Sequence, residues 1–412
     1  MNIPSLARKI TFTLFLAMSL GSAGFLVAAT VNTIIGAEIS GNPAWAGLPA
    51  AMFTLGTALS AFLLGFVMER FGRRLGIVIG LLLGLFGTLL AALAIGVISF
   101  PIFLAGMVFS GSARAALQLG RFAAAEVHPP EQRGRAISNV VIGGTVGSIL
   151  GPWLAGPMGQ WAVRTGYNEM LGPYVASFIL IALSALVVFI LLRPDPQDLG
   201  REVSRIYPDK SADNQHLRSF SEIFRIPAAA VAIIAMIISQ AVMVMLMGIT
   251  ALHMKNNNHA LFGISLVISS HTFGMYAFSI ISGQLADRWG RGQVILVGAI
   301  GLILACVLAP LSPQLTPMAL SLFLLGLGWN FCYVGGSSLL SDQLSPAERA
   351  KTQGFNDLLI GLASALGSFI SGLIFAASGY GMVGLIGAGL GIIPLGLTLW
   401  WQLGKSRLAV ST

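Results

Sequence analysis

Long runs of apolar residues alternate with short polar segments along almost the whole chain. A membrane-spanning helix needs about 20 mostly apolar residues, because the hydrocarbon core is roughly 30 Å thick. Twelve runs meet this requirement, at residues 10–35, 45–67, 75–97, 101–125, 136–160, 172–192, 227–252, 261–284, 292–311, 317–341, 352–376 and 382–403. The pattern predicts an all-α integral membrane protein with 12 transmembrane helices. The first run is too long for a cleavable signal peptide.

Composition supports this prediction. Hydrophobic residues make up 56% of the chain and charged residues only 9%, whereas a soluble domain carries about 25% charged residues. Cys306 and Cys332 lie inside apolar runs, which favours buried thiols over a disulfide framework. The net charge of +8 points to a membrane surface and not to nucleic acid, because the basic residues lie in the loops that flank the spans.

The positions of the basic residues orient the chain. With both ends inside the cell, 19 of the 23 Lys and Arg residues fall on the inner side. Arg164 and Lys255 fall outside, and Arg114 and Arg121 fall within a span. This bias predicts a multi-pass protein of the cytoplasmic (inner) cell membrane with both termini in the cytoplasm.

One long hydrophilic segment, residues 193–225, joins the sixth and seventh spans. It contains six basic and six acidic residues and opens with Arg-Pro-Asp-Pro. We expect a solvated cytoplasmic linker, with a short surface helix near residues 219–225, because the segment is too short and too polar to form its own core. The predicted organisation is an N-terminal six-helix half at 1–192, the linker at 193–225 and a C-terminal six-helix half at 226–412.

The two halves repeat each other. Residues 65–74 read GFVMERFGRR, and residues 283–292, 218 positions later, read GQLADRWGRG. A second match, at an offset of 216, pairs residues 130–133 with residues 346–349 and pairs Glu126 with Asp342. Each copy of the first loop is a short charged segment between two apolar runs.

This loop resembles the signature between the second and third helices of the major facilitator superfamily, G-x-L-x-D-R-x-G-R-[RK]. The resemblance covers nearly the whole chain and implies two pseudo-symmetric six-helix halves. It also implies a cytoplasmic gate whose mixed charges pair in one state and separate in the other. The gate residues are Gly65, Glu69, Arg70, Gly72, Arg73 and Glu126 in the first half, and Gly283, Asp287, Arg288, Gly290, Arg291 and Asp342 in the second. The alternative is that these charges only fix topology. Glu69 replaces the usual Asp, and Gly292 stands where a base is common.

The fifth span contains Gly147, Gly151, Pro152 and Gly156. Small residues four apart let two helices approach closely, and the proline bends its helix. The stretch is similar to the G-x-x-x-G-P-x-x-G-G motif of proton-coupled exporters in this superfamily, with Ala155 in place of one glycine. This resemblance implies the 12-span drug/metabolite:proton antiporter group, and the alternative is ordinary helix packing.

Ionisable residues inside spans are costly in lipid and indicate a cavity or a partner. Arg114, Gln118 and Arg121 are spaced to share one face of the fourth span. Arg114 is a candidate cavity base for an anionic or polar group. For Arg121, which lies near the cytoplasmic end, a structural pair with Glu126 or Asp357 is the alternative.

Two further residues are candidates for carrying a proton. Asp357, in the eleventh span, is either a protonatable coupling group or the counter-ion of Arg121. His271, in the eighth span, is either a proton carrier or a neutral histidine bonded to a neighbouring helix. Uncharged polar residues that could line a central cavity are Asn32, Gln240, Asn330, Tyr333 and Asn356. The methionines of the seventh span suit either a pocket or plain apolar contacts.

These features predict a secondary active transporter that moves a small organic solute, either a drug-like compound or a metabolite. We do not expect an enzyme, because the sequence contains no catalytic or metal-binding motif. Proton-coupled efflux by alternating access is the preferred function, with the proton gradient as the driving force and no cofactor. The alternatives are uptake or exchange of an anionic metabolite and, in another class, a non-transporting membrane sensor on the same fold. The expected partners are the solute, protons and lipid, and the superfamily usually works as monomers.

Overall fold

The computed structural model of the chain describes residues 3–207 and 218–410. Every regular element in these residues is a helix. The chain divides into two compact units, residues 1–210 with 260–265 and residues 211–259 with 266–412. Residues 208–217 of the predicted linker lie outside the described residues.

The first unit contains the helices of the N-terminal part of the chain. Its helices are α1 (Ile3–Ala29), α2 (Asn32–Ser40), α3 (Leu48–Phe71), α4 (Arg73–Val97), α5 (Phe100–Glu126), α6 (Arg133–Arg164), α7 (Leu171–Leu191) and α8 (Pro196–Ile206). Its main core packs α1, α4, α5 and α7 together, with Ile10, Leu14, Ile77, Leu81 and Leu117 fully buried.

The second unit contains the remaining helices. They are α9 (Phe220–Phe224), α10 (Pro227–Asn256), α11 (Leu261–Tyr276), α12 (Ser279–Trp289), α13 (Arg291–Leu308), α14 (Leu315–Asp342) and α15 (Pro346–Val410). The first residues of α11 are grouped with the first unit. The core of the second unit is built on α10, with Ala229, Ala232 and Met236 buried against residues of α13 and α14.

Within residues 3–207 and 218–410, eleven helical stretches are long and apolar enough to cross a membrane. The last of them, Thr352–Gly404, has 53 residues, more than twice the length that a bilayer requires. Gly379 interrupts it with a non-helical backbone (φ 76°, ψ −177°). The stretch is therefore consistent with the two predicted spans, 352–376 and 382–403, and the all-α membrane fold is confirmed.

The structure adds a break that the hydropathy pattern did not predict. The eighth span consists of α11 and α12, which are separated by a two-residue turn at Ala277 and Phe278. No proline lies between residues 261 and 289, so the usual sequence signal for an interrupted helix is missing here.

The linker contains more helix than the sequence predicted. The short helix expected near residues 219–225 is present as α9, which begins with a capping box between Ser219 and Glu222. Helix α8 was not predicted, because the prolines of Arg-Pro-Asp-Pro were interpreted as ending a helix. They also start one: Asp195 is the N-cap residue and Pro196 occupies the first helical turn, where its missing N–H costs nothing.

Glycines bring helices α1 and α6 into backbone contact. A Cβ atom on Gly147 would overlap the carbonyl oxygen of Ser19, and one on Gly151 would lie 2.6 Å from the carbonyl oxygen of Ala23. Since both glycines lie on α6 and both carbonyls on α1, the small residues of the fifth span pack against the first helix.

We predict that Gly147→Ala destabilises the protein, because the new methyl group forces α6 away from α1. The expected loss is about 1–3 kcal/mol, measured as a lower unfolding temperature of the purified protein in detergent. Gly134→Ala is the matched control, since Gly134 lies on the same helix with nothing within 4 Å of a Cβ atom. Equal unfolding temperatures for the two variants would contradict the close contact.

Candidate functional site

The first signature loop is a turn of one residue. Helix α3 ends at Phe71 and α4 begins at Arg73, and Gly72 between them has φ 98° and ψ 156°. A positive φ is unfavourable for residues with a side chain. In addition, a Cβ atom on Gly72 would lie 2.5 Å from a carboxylate oxygen of Asp195. Both facts explain why glycine occupies this position.

Arg73 and Glu126 form a two-pronged ion pair. Arg73 Nε donates to Glu126 Oε2 at 2.9 Å, and Arg73 Nη2 donates to Glu126 Oε1 at 2.7 Å. Paired parallel hydrogen bonds fix the guanidinium and the carboxylate in one geometry. The ion pair joins the start of α4 to the end of α5, so it brings together two of the predicted gate residues.

The carboxylate of Asp195 caps two helices at once. Its Oδ1 accepts from the backbone N–H groups of Arg73 (3.1 Å) and Gln197 (2.8 Å), and its Oδ2 accepts from that of Arg74 (3.0 Å). Arg73 and Arg74 begin α4, and Gln197 lies in the first turn of α8. A negative charge at a helix N-terminus satisfies otherwise unpaired donors and complements the helix dipole. Asp195 therefore ties the first part of the linker to the signature loop.

Two side chains reinforce this attachment. Gln197 Nε2 donates to the backbone carbonyl of Glu69 at 2.9 Å. Arg74 donates to the carbonyl of Phe189 at 2.6 Å and lies 5.1 Å from the centre of the Phe189 ring. Glu69 and Arg70 are exposed, and Gly65 has nothing within 4 Å of a Cβ atom.

The second signature loop has the same backbone. Gly290, between α12 and α13, has φ 100° and ψ 147°, close to the values at Gly72. Arg291 pairs with Asp287 and donates to Asp342 Oδ2 at 3.3 Å, as Arg73 does to Glu126. The predicted repeat is thus visible in the structure. Gly283 and Arg288 complete this loop, and the side chain of Arg288 is exposed.

The other end of the linker is also anchored, by Arg218 and Glu348. Arg218 donates to Glu348 from Nε (2.8 Å), Nη2 (2.7 Å) and its backbone N–H (3.0 Å). The backbone N–H of Ser345 donates as well, at 3.0 Å. The Arg218 guanidinium and these N–H groups hold the pKa of the Glu348 carboxyl well below its usual range. Glu348 is 5% exposed, so this carboxylate is both buried and well partnered.

The three polar residues of the fourth span lie on α5, as predicted. Arg114 is exposed, and Gln118 and Arg121 are half-buried. The guanidinium of Arg114 lies 5.8 Å from the centre of the Phe53 ring, and that of Arg121 lies 4.8 Å from the centre of the Phe122 ring. Aromatic faces attract such cations, so part of each charge is compensated within the first unit.

Asn32 and His271 are buried and each bonds to a neighbouring helix. Asn32 Oδ1 accepts from the hydroxyl of Tyr174 at 2.5 Å. The imidazole Nδ1 of His271 lies 2.9 Å from the carbonyl oxygen of Leu322 on α14. His271 is fully buried. This geometry matches the structural alternative for His271, in which the ring joins α11 to α14.

The remaining candidates belong to the second unit. Asn330 and Asn356 are buried, Gln240 and Tyr333 are half-buried, and Asp357 is exposed on α15. Gln240 accepts from Trp329 Nε1 at 2.8 Å, and Trp329 stacks on Tyr333 with 4.9 Å between the ring centres. The two cysteines are free and buried, as predicted.

Sequence reasoning missed Asp195, Trp329 and Tyr174. Asp195 had a local signal, since Asp-Pro is a favourable start for a helix. However, nothing in the sequence indicates that its carboxylate also caps α4, which begins 122 positions earlier. Trp329 and Tyr174 lie in apolar runs, where an aromatic residue does not stand out.

Comparison with known proteins shows a family profile and several relatives that match most of the chain. The profile of the Major Facilitator Superfamily matches residues 11–256 and 232–409. The uncharacterized MFS-type transporter YdeG of Bacillus subtilis is 34% identical over 401 residues, which cover 96% of this chain and 92% of the relative. The riboflavin transporter RfnT of Brucella anthropi is 29% identical over 374 residues, 91% of each chain.

A shorter match and a fold comparison complete these findings. The multidrug resistance protein MdtL of Klebsiella pneumoniae is 30% identical over 134 residues, which cover 30% of this chain and 34% of the relative. Among solved structures, the nucleoside transporter NupG has a TM-score of 0.66 at 18% identity, covering 97% of this chain and 98% of its own. At this identity the similarity concerns the fold alone.

We predict that Asp195→Ala destabilises the first unit, because three backbone donors at two helix starts lose their acceptor. The expected loss is about 1–2 kcal/mol, measured by thermal unfolding in detergent. Asp198→Ala is the matched control: its side chain is 71% exposed, with Arg201 at 3.8 Å, and such surface pairs contribute little. An equal effect of both substitutions would refute the double cap.

We predict that the stabilisation by Glu348 does not vary between pH 5 and 8. The folded pKa is lowered, so the contribution is present above the unfolded pKa of about 4.3 and is lost as the pH falls through the folded value. Glu348→Gln should therefore lower the unfolding temperature by a constant few degrees, about 2–4 °C per kcal/mol, throughout this range.

The matched control is Glu202→Gln, because Glu202 is exposed on α8. It should leave the unfolding temperature unchanged at every pH. A difference between Glu348→Gln and the unmodified protein that disappears between pH 8 and 5 would contradict the lowered pKa.

Proposed function

The chain belongs to the major facilitator superfamily, and on that premise we propose that it is a secondary active transporter that moves an organic solute by proton-coupled efflux. Members of this superfamily are membrane transporters of small solutes and not enzymes. In alternating access, the binding site opens to one side of the membrane at a time, so two states of similar energy are required.

The fifth span supports the efflux direction. Its Gly-Pro stretch is similar to the motif of proton-coupled exporters, and Gly147 and Gly151 hold α6 against the backbone of α1. A helix that is bent by proline and packed through glycines can shift against its neighbour without side-chain repacking. The partial similarity to a multidrug resistance protein favours the same direction.

In this proposal, the ion pairs at the two signature loops form the gate. Arg73 with Glu126 and Arg291 with Asp342 form equivalent pairs near Gly72 and Gly290. We place both loops, the linker and both termini in the cytoplasm, and the protein in the cell membrane as a monomer. In this arrangement the pairs stabilise one state of the transporter and separate in the other.

The proton-coupling residue is Asp357 in this proposal. Asp357 is exposed on α15 and follows the buried Asn356, so it is not enclosed within the protein as His271 is. His271 is the second candidate. Its fully buried ring is bonded to Leu322, which makes proton exchange slower there and favours Asp357.

Uptake of a solute that carries a negative charge is the second candidate function. It is favoured by the exposed Arg114 on α5, whose spacing from Gln118 and Arg121 gives this helix one polar face. The similarity to a protein named as a riboflavin transporter shows that efflux of drugs is not the sole activity among the relatives.

The test is a proton-flux assay in liposomes that contain the purified protein and an internal pH dye. We expect cationic or neutral organic solutes to elicit proton movement. Asp357→Asn should reduce its rate at least tenfold, because the amide cannot carry a proton. Asp198→Asn, which changes an exposed carboxylate of the linker, is the matched control and should retain the full rate.

Other outcomes separate the candidates. If His271→Gln stops the flux while Asp357→Asn does not, His271 is the coupling group. If only anions give a signal and Arg114→Ala removes it, the protein is an anion carrier and the fifth span serves packing. Unfolding temperatures of all variants show whether a lost signal reflects lost structure.

A further inference from the structure

A side chain from a neighbouring helix forms hydrogen bonds at the break in the eighth span. Between the end of α11 at Tyr276 and the start of α12 at Ser279, the amide of Asn330 fills the gap. Its Nδ2 donates to the carbonyl oxygen of Met275 at 2.7 Å and to the hydroxyl of Ser279 at 2.9 Å. Asn330 is 2% exposed. Inside a membrane, irregular backbone is tolerated where protein groups satisfy it, and here α14 supplies the group.

Three aromatic rings lie beside this break. Trp329 precedes Asn330 and stacks on Tyr333, one turn further along α14, with 4.9 Å between the ring centres and 22° between the planes. Tyr276, the last residue of α11, meets Trp329 edge to face at 6.2 Å and 72°. Both tyrosines are half-buried, and Trp329 is 8% exposed.

A hydrogen-bonded chain extends from the same tryptophan to two more helices. Trp329 Nε1 donates to Gln240 Oε1 at 2.8 Å, and Gln240 Nε2 donates to Ser364 Oγ at 2.7 Å. These bonds fix which end of the Gln240 amide faces Trp329. An amide oxygen accepts two hydrogen bonds and its nitrogen donates two, so Gln240 can still donate and accept one more. Gln240 and Ser364 are both half-buried.

We propose that this aromatic junction, formed by Gln240, Tyr276, Trp329, Tyr333 and Ser364, binds a flat, uncharged heteroaromatic solute. The inference rests on the proposed transport function and identifies its substrate class. The ring stacks on the exposed part of Tyr333, and its polar edge bonds to Gln240 and Ser364.

The chemistry of the junction selects this class. Stacked and edge-to-face aromatic contacts favour ligands with a flat π-system. An amide and a hydroxyl at the same place pair with ring nitrogens and carbonyl groups. None of the five side chains carries a formal charge, so nothing in the junction compensates a phosphate or a carboxylate in a poorly hydrated environment. The aromatic faces replace only part of the hydration of an ammonium group. Polar side chains in spans are costly in lipid unless they serve function or structure.

The break allows one ring of the aromatic junction to change its orientation. Because α11 and α12 are separate helices joined by a turn, Tyr276 can change its orientation without bending a continuous helix. Discontinuous spans commonly form substrate sites in transporters. The alternative role for the same contacts is packing that holds α10, α11, α14 and α15 together.

The test measures binding of two uncharged heteroaromatic probes, riboflavin and adenosine, to the full-length purified protein. Riboflavin fluorescence, which stacking on an aromatic side chain quenches, reports binding, and adenosine is detected by its competition with riboflavin. Sucrose, polar but not aromatic, and tetraphenylphosphonium, aromatic but charged and not flat, are the comparison ligands. We expect both heteroaromatic probes to bind and neither comparison ligand to displace riboflavin.

Matched variants separate stacking from packing. Tyr333→Leu should weaken riboflavin binding about tenfold or more, the scale of stacking on a single aromatic side chain. Trp329→Leu should weaken it as well, because it removes the ring that stacks on Tyr333 and the donor to Gln240. Tyr333→Phe keeps the ring and should bind within about twofold of the unmodified protein. Trp400→Leu makes the same tryptophan change at a 63% exposed position and should have no effect. Unfolding temperatures check that each variant is folded.

The result that would overturn the inference is riboflavin binding that is absent, or that is unchanged in a folded Tyr333→Leu variant. Liposome transport then separates the two proposals. Proton-coupled flux of another solute class with no heteroaromatic binding refutes the junction as a substrate site and leaves the transport function standing. Heteroaromatic binding that Tyr333→Leu abolishes, with no flux of any solute, supports the site and refutes the proposed transport.

Discussion

Hydrocarbon offers no partner for a backbone N–H or carbonyl group, and the structure follows from this constraint. It explains why every regular element among the described residues is a helix. It also explains how the exceptions are handled. Asn330 bonds to the carbonyl that the break in the eighth span leaves without its helical partner, and Asp195 receives the N–H groups where α4 and α8 begin. At the break in the eighth span and at the start of α4, a side chain from elsewhere in the chain supplies the hydrogen-bonding partner.

The same constraint determines what the sequence could predict. Apolar runs of sufficient length identify spans reliably, because no other structure can cross a bilayer at that composition. The repeated loop was equally informative: the backbone at Gly72 and Gly290 is nearly the same, and Arg73 and Arg291 have equivalent acidic partners. Local patterns therefore predicted the fold and the repeat, and the resemblance to the family signature suggested the charged residues that lie around the two loops.

The contacts that sequence reasoning missed involve residues far apart in the chain. Asp195 reaches a helix that begins 122 positions earlier, and Gln240 reaches Trp329 from 89 positions away. No proline marks the break at Ala277 and Phe278 in the sequence. The side chain that bonds to the break, Asn330, lies on α14. In apolar runs the residue type alone does not distinguish a tryptophan that packs in a core from one that anchors a hydrogen-bonded chain. Trp329 and Tyr333 lie one turn apart on α14, but only the fold brings Tyr276 to them.

The two ends of the linker are held within separate units, by Asp195 at one end and by the Arg218–Glu348 pair at the other. Both anchors lie outside the interval 208–217, which is not among the described residues. A gene split within this interval would give two polypeptides, each of which keeps its own anchor. A cut in this interval would therefore separate neither Asp195 nor Arg218 from the groups that each one binds.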